Sequence, residues 1–145
     1  MNEKQTQSSE NDMARMAYEM QALRGRLEEL QRQAAAIQQI ADGAQATVEA
    51  LSQLSGTKEV VFQLGAGAMM KATPAGTVLV DVGSGIIMEK KPAEAQKTME
   101  ERAHQANAAL QQIQKAVSET VARINNLGER AEALRGQAGE GGGFE

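Results

Sequence analysis

The chain has 145 residues, a formal charge of −4, one Tyr, two Phe, no Trp and no Cys. Its 41% apolar content therefore rests on aliphatic side chains, Ala and eight Met, which fits a thin aliphatic seam better than the ring-rich core of a compact enzyme. Lack of cysteine removes disulfides, thiol nucleophiles and thiolate metal sites, and no basic cluster beyond pairs such as Lys90-Lys91 could hold a phosphate backbone.

After Met1, every residue to Asp12 is polar. This stretch lacks the apolar run of a signal peptide, and nothing later approaches the roughly 18 apolar residues of a membrane span. A disordered polar tail over 1–12 and a soluble, cytoplasmic protein are expected. From Met13, alternating steps of three and four meet Met13, Met16, Met20, Leu23, Leu27, Leu30, Ala34, Ile37, Ala41, Ala44, Val48 and Leu51, all apolar. A repeat of 3.5 residues keeps such a stripe on one face only if the helix supercoils around a partner. The first coiled-coil helix is therefore predicted over 13–55, capped by Asn11 or Asp12 and stopped near Gly56.

From 57 to 91 the period changes to that of strands, predicted at 59–64, 68–73, 77–82 and 85–89. β-Branched residues gather here, as in Val60-Val61 and Val78-Leu79-Val80, and Thr73-Pro74-Ala75-Gly76 supplies turn chemistry. Leu64-Gly65-Ala66-Gly67-Ala68-Met69-Met70-Lys71 is repeated 18 residues later as Val82-Gly83-Ser84-Gly85-Ile86-Ile87-Met88, so two similar β-hairpins are the simplest account. These Gly-x-Gly motifs lack the third Gly of a dinucleotide fingerprint and the Gly-Lys-Ser/Thr of a P-loop, so no nucleotide cofactor is expected. Two hairpins alone cannot bury both faces of a sheet. Val78, Val80 and Val82 point to one face and Leu79 to the other, so other chains are expected to cover the hairpins.

The second helix is predicted over 92–135. Its seam runs Met99, Ala103, Ala106, Leu110, Ile113, Val117, Thr120, Ile124, Leu127, Ala131 and Leu134, with Thr120 the single polar position. Pro92 suits a first helical turn and Glu94 the positive end of the helix dipole. Equal helices joined by a folded insert imply an antiparallel coiled-coil hairpin in which Leu51 faces Met99 and Met16 faces Leu134. Gly25 and Gly128 then come close together, and each costs about 1 kcal/mol relative to Ala in a helix interior, so that end is expected to open most readily. The same end carries Met13, Met16 and Met20, whose flexible thioethers either fill the seam or adapt to foreign apolar surfaces. Residues 136–145 hold five Gly and Phe144 and are expected to be a disordered tail.

A coiled-coil hairpin carrying two β-hairpins, with Leu64-Gly65-Ala66-Gly67 in one and Val80-Asp81-Val82-Gly83-Ser84-Gly85 in the other, resembles the α-type subunits of prefoldin, archaeal members above all. Ile86-Ile87 stands where aromatic residues are expected in that family. The resemblance covers roughly 13–134. It implies a mainly α fold whose hairpins form an oligomeric β-barrel platform, in a heterohexamer of two α-type and four β-type subunits. It further implies an ATP-independent chaperone that binds unfolded proteins at its coiled-coil tips and passes them to a group II chaperonin. On that reading Met13, Met16, Met20, Leu23, Leu127, Ala131 and Leu134 are the client-binding candidates. Val60, Phe62, Leu64, Val78, Val80, Val82, Ile86 and Ile87 are the platform candidates, with Gly65, Gly67, Gly83 and Gly85 at the turns.

Two other classes compete. A purely structural coiled-coil tether explains the heptads equally well but has no use for a four-strand insert. An enzyme would need an acid, base, nucleophile or metal constellation. Glu28-Glu29 and Glu100-Glu101 lie outside the seam and read as solvated helix faces, and the lone His104 beside Ala103 should face water. No catalytic residue, metal site or nucleic-acid partner is expected. Uncharged flanking positions such as Gln31, Gln38, Gln45 and Gln114 select no particular partner helix by charge, which favours pairing within the chain.

Overall fold

The computed structural model describes residues 2–54, 56 and 59–140. Helix α1 spans Asn2–Leu54, four strands follow as β1 (Val60–Gly65), β2 (Ala68–Ala72), β3 (Val78–Gly83) and β4 (Ile86–Lys90), and helix α2 spans Pro92–Glu140. The chain divides into a terminal unit, Met1–Ala36 with Leu110–Glu145, and a hairpin unit, Ile37–Ala109. Both helices contribute to each.

The heptad positions behave as the 3.5-residue period requires. All twelve in α1 and all eleven in α2 are buried or half-buried. Thr120, the polar exception, is buried at 4% exposure, and its hydroxyl donates to the Ala116 carbonyl at 2.7 Å, so it leaves no unmet polar group.

The helix ends differ from the expected boundaries. α1 begins at Asn2, so Asn11 and Asp12 are interior residues, not caps, and 2–12 is not a separate tail. Once a helix is nucleated, each further residue adds a hydrogen bond at little cost. No Pro or Gly interrupts 2–12, and Thr6 donates its hydroxyl to the Asn2 carbonyl at 2.8 Å. α2 likewise continues through Gly136 and Gly139 to Glu140, beyond the expected end at 135, because polarity without a Pro does not stop a helix. Residues 141–145, Phe144 among them, lie outside the described residues. α1 ends at Leu54, and Gly56 takes φ +81°, the left-handed conformation that terminates helices.

Strands fall within one residue of their predicted positions. β1 pairs antiparallel with β2, and β3 with β4, as two separate two-stranded sheets. The 18-residue repeat is geometric as well as chemical. Each ladder has an irregularity at the same place, between Gln63 and Gly65 and between Asp81 and Gly83. Each two-residue turn has both φ angles positive, 49° and 81° at Ala66-Gly67 and 53° and 75° at Ser84-Gly85. That is the type I′ signature, whose twist matches the flanking strands.

Ala66 and Ser84 therefore hold a backbone conformation that costs an L-residue roughly 1–2 kcal/mol. Asn tolerates it better and precedes Gly in the favoured type I′ pair. Ala66→Asn is expected to stabilise β1–β2 by up to about 1 kcal/mol, seen as slower amide hydrogen exchange in both strands. Faster exchange would mean that the Ala66 side chain contributes more than its backbone costs.

In the hairpin unit, Leu51 of α1, Val80 of β3 and Ala95 of α2 form one buried cluster, with Leu54, Val78 and Met99 packed against it. Ala95 is 0% and Val80 2% exposed. Here the end of α1, the third strand and the first turns of α2 share one core, and Leu51 and Met99 meet as the antiparallel register predicts.

Candidate functional site

Two surfaces stand out, one in each unit. In the hairpin unit the alternation of strand residues sorts the side chains by face. In β1–β2, Val60 faces Ala72 and Phe62 faces Met70 across the ladder, so this face is apolar on both strands up to the irregularity after Gln63. Phe62 is 53% and Met70 50% exposed. Val61 and Met69 are also exposed on the other side, and the second hairpin exposes Leu79, Val82, Ile86, Ile87 and Met88. Contiguous apolar surface of this kind marks a site for other chains.

The platform candidates separate accordingly. Phe62, Leu64, Val82, Ile86 and Ile87 are exposed, Val60 and Val78 are half-buried, and Val80 is buried against Leu51 and Ala95. Val80 thus anchors its own hairpin within the chain, where the sequence reading placed it on the surface for partners. Exposed apolar residues outside that candidate set are Val61, Met69, Met70, Leu79 and Met88. Their signal is present in the alternation of the strands, which puts apolar side chains on both faces. The turn glycines Gly65, Gly67, Gly83 and Gly85 all have positive φ, and a Cβ there would meet nothing within 4 Å, so backbone conformation, not space, calls for Gly.

In the terminal unit, α1 and α2 line an open cavity of about 550 Å³. Met16, Leu127, Ala133 and Leu134 supply its apolar floor, with Asp12, Arg15, Glu19, Arg130 and Gln137 around it. Three of the seven client-binding candidates, Met16, Leu127 and Leu134, therefore line one groove, which Met16 and Leu134 share as the antiparallel register requires. Met13, Met20 and Ala131 are half-buried in the seam, whereas Leu23 is buried and contributes to packing. Sequence reasoning missed the charged surround, because Arg15, Glu19 and Arg130 look like ordinary solvated positions. It also missed Tyr18, which is 79% exposed and lies off the heptad stripe.

Glu28, Glu29, Glu100, Glu101 and His104 are exposed, and Glu29 pairs with Arg32 at 3.1 Å and accepts from Gln33 at 3.1 Å on its own helix. Among the described residues, no group of three His, Cys, Asp or Glu side chains is placed to hold a metal ion. No helix of the described residues is long and apolar enough to cross a membrane.

Comparison with known proteins places these surfaces in a family. The model of the prefoldin subunit family matches residues 5–137. Prefoldin subunit alpha of Methanococcoides burtonii is 29% identical over 127 residues, which cover 84% of this chain and 92% of that protein. A cryo-EM structure of filamentous PFD from Methanocaldococcus jannaschii aligns over 81% of this chain and 95% of its own, with a TM-score of 0.45 and 24% identity. Two long helices with two antiparallel β-hairpins between them, and a family match running from residue 5 to residue 137, establish that the chain belongs to the prefoldin subunit family.

Proposed function

We propose that this chain is the α-type subunit of a cytoplasmic prefoldin hexamer, two such chains with four β-type subunits, acting as an ATP-independent holdase. It would bind unfolded proteins in the terminal unit and pass them to a group II chaperonin. The observation that carries this reading is the open groove whose floor is Met16, Leu127 and Leu134, in a chain of the prefoldin chaperone family. Methionine adapts to irregular apolar shapes, so the groove suits many sequences weakly better than one sequence tightly. Holding strength would then come from several subunits acting at once, because linked sites make later contacts intramolecular. Gly25 and Gly128, where an added Cβ would meet nothing within 4 Å, weaken the helices of the terminal unit and let the groove widen around a client.

The test replaces Met13, Met16 and Met20 by Ser in the assembled complex and measures suppression of client aggregation without nucleotide. About tenfold more complex should be needed for the same protection, with native mass unchanged. Full protection by the variant would refute the groove as client site, and no protection by the wild-type complex would favour a tether.

A further inference from the structure

The two hairpins are near-copies that rest on different supports. Val60, Phe62 and Gln63 correspond to Val78, Val80 and Asp81 by the 18-residue offset, with the ladder irregularity and the turn conformations repeated. Their surroundings diverge sharply, since Val80 is 2% exposed and its counterpart Phe62 is 53% exposed. Every residue from Val61 through Lys71 is exposed, and only Val60 and Ala72 at the open end of β1–β2 are half-buried.

A polar clamp accompanies the apolar anchor of β3–β4. Arg102, nearly three turns into α2, donates from Nη2 to the Asp81 carbonyl oxygen at 2.6 Å. Asp81 in turn accepts the Gly83 N–H on its Oδ1 at 2.8 Å, which braces the bend where the ladder skips. At the other strand, Lys90 Nζ donates to Thr98 Oγ1 at 2.9 Å, and that hydroxyl donates to the Glu94 carbonyl at 3.0 Å. The Arg102 stem lies beside Met99, its Nη1 at 3.9 Å from the Met99 sulfur, so the guanidinium is held rather than free to swing. A charged donor on a backbone carbonyl is among the stronger hydrogen bonds of a protein surface.

We propose that Arg102 is a positioning residue for assembly. It locks β3–β4 onto α2 so that this hairpin is preformed in the free chain, whereas β1–β2 gains its order only when other subunits cover the Phe62–Met70 face. An isolated two-stranded hairpin is marginal in water, and β1–β2 has little of its own chain to lean on. Assembly then begins at β3–β4 and closes at β1–β2. This order rests on the reading of the exposed hairpin faces as the assembly surface, but the clamp itself does not.

The experiment is amide hydrogen exchange on the full chain, kept dilute enough that its native mass is that of one chain, and again in the complex with its partner subunits. In the free chain, β3–β4 should exchange at least about tenfold more slowly than β1–β2, and β1–β2 should slow on assembly. Arg102→Met keeps the stem and removes the donors. It should speed exchange in β3–β4 by about tenfold, leave the helices unchanged, and raise the partner concentration for half-assembly. Arg102→Lys should recover part of the loss, since one ammonium can still reach the carbonyl. Wild-type exchange of β3–β4 in Arg102→Met, or equal protection of both hairpins in the free chain, overturns the proposal. Faster β3–β4 exchange with an unshifted assembly midpoint overturns the assembly order alone and leaves the clamp standing.

Discussion

Replacing Leu51 by Ala is expected to lower the stability of the hairpin unit by about 3 kcal/mol, the middle of the range for emptying a buried leucine site. Leu51 is 4% exposed and shares its cluster with Val80 and Ala95, one residue from each of three elements. No large side chain in the described chain is fully buried, so there is no deep core to take over its role. The loss would be a large share of the 5–15 kcal/mol typical of a domain. Urea unfolding of the free chain should show an earlier midpoint, and hydrogen exchange should accelerate in β3–β4 before α1. Ala95→Leu is the complementary change. It forces a side chain into a site with no free surface and should cost about 1–3 kcal/mol through overpacking. An unchanged midpoint in Leu51→Ala would mean that the cluster is not what holds β3 to the helices.

The second large effect is on assembly. Phe62 and Met70 face each other across β1–β2 and are about half exposed. Together they make the aromatic and thioether centre of an otherwise aliphatic face. Central anchors of an interface commonly cost more than 1 kcal/mol each when truncated, and tenfold in affinity is 1.4 kcal/mol. Phe62→Ser with Met70→Ser should therefore weaken subunit association by about 30-fold or more. Native mass at a fixed low concentration reads this as dissociation, while circular dichroism should report unchanged helix content, because both residues lie in β1–β2 and not on the heptad stripe. A complex of unchanged mass would remove this face from the assembly surface.

These two outcomes divide what the sequence made legible from what it did not. The helical seam was readable position by position, because a 3.5-residue period held over eleven alternating steps of three and four residues has no competing explanation. Strand positions and both turns were readable for a similar reason, since Gly-Ala-Gly and Gly-Ser-Gly recur at a fixed offset. The α1 start was not, because a polar stretch from Asn2 to Asp12 carries no stop signal and no seam to mark where pairing begins. Alternation in β3 correctly set Val80 apart from Leu79, yet a period of two identifies a face without saying what covers it. Val80 is covered by Leu51 and Ala95 of its own chain, and Phe62, its counterpart, is not. Arg102 gave no sign at all: a lone arginine beside a seam alanine resembles any solvated helix residue until a carbonyl 21 positions away is brought to 2.6 Å.

The single tyrosine has an optical consequence. Tyr18 is exposed beside the groove residues Met16 and Glu19, and the chain has no tryptophan. The ultraviolet emission of this subunit therefore has one dominant source, placed on the helix that forms one wall of the groove. A polypeptide carrying tryptophan and bound in that groove would draw off the emission by resonance energy transfer. The scarcity of aromatic side chains, which at first only argued against a compact core, leaves the terminal unit with a built-in reporter of what lodges beside Tyr18.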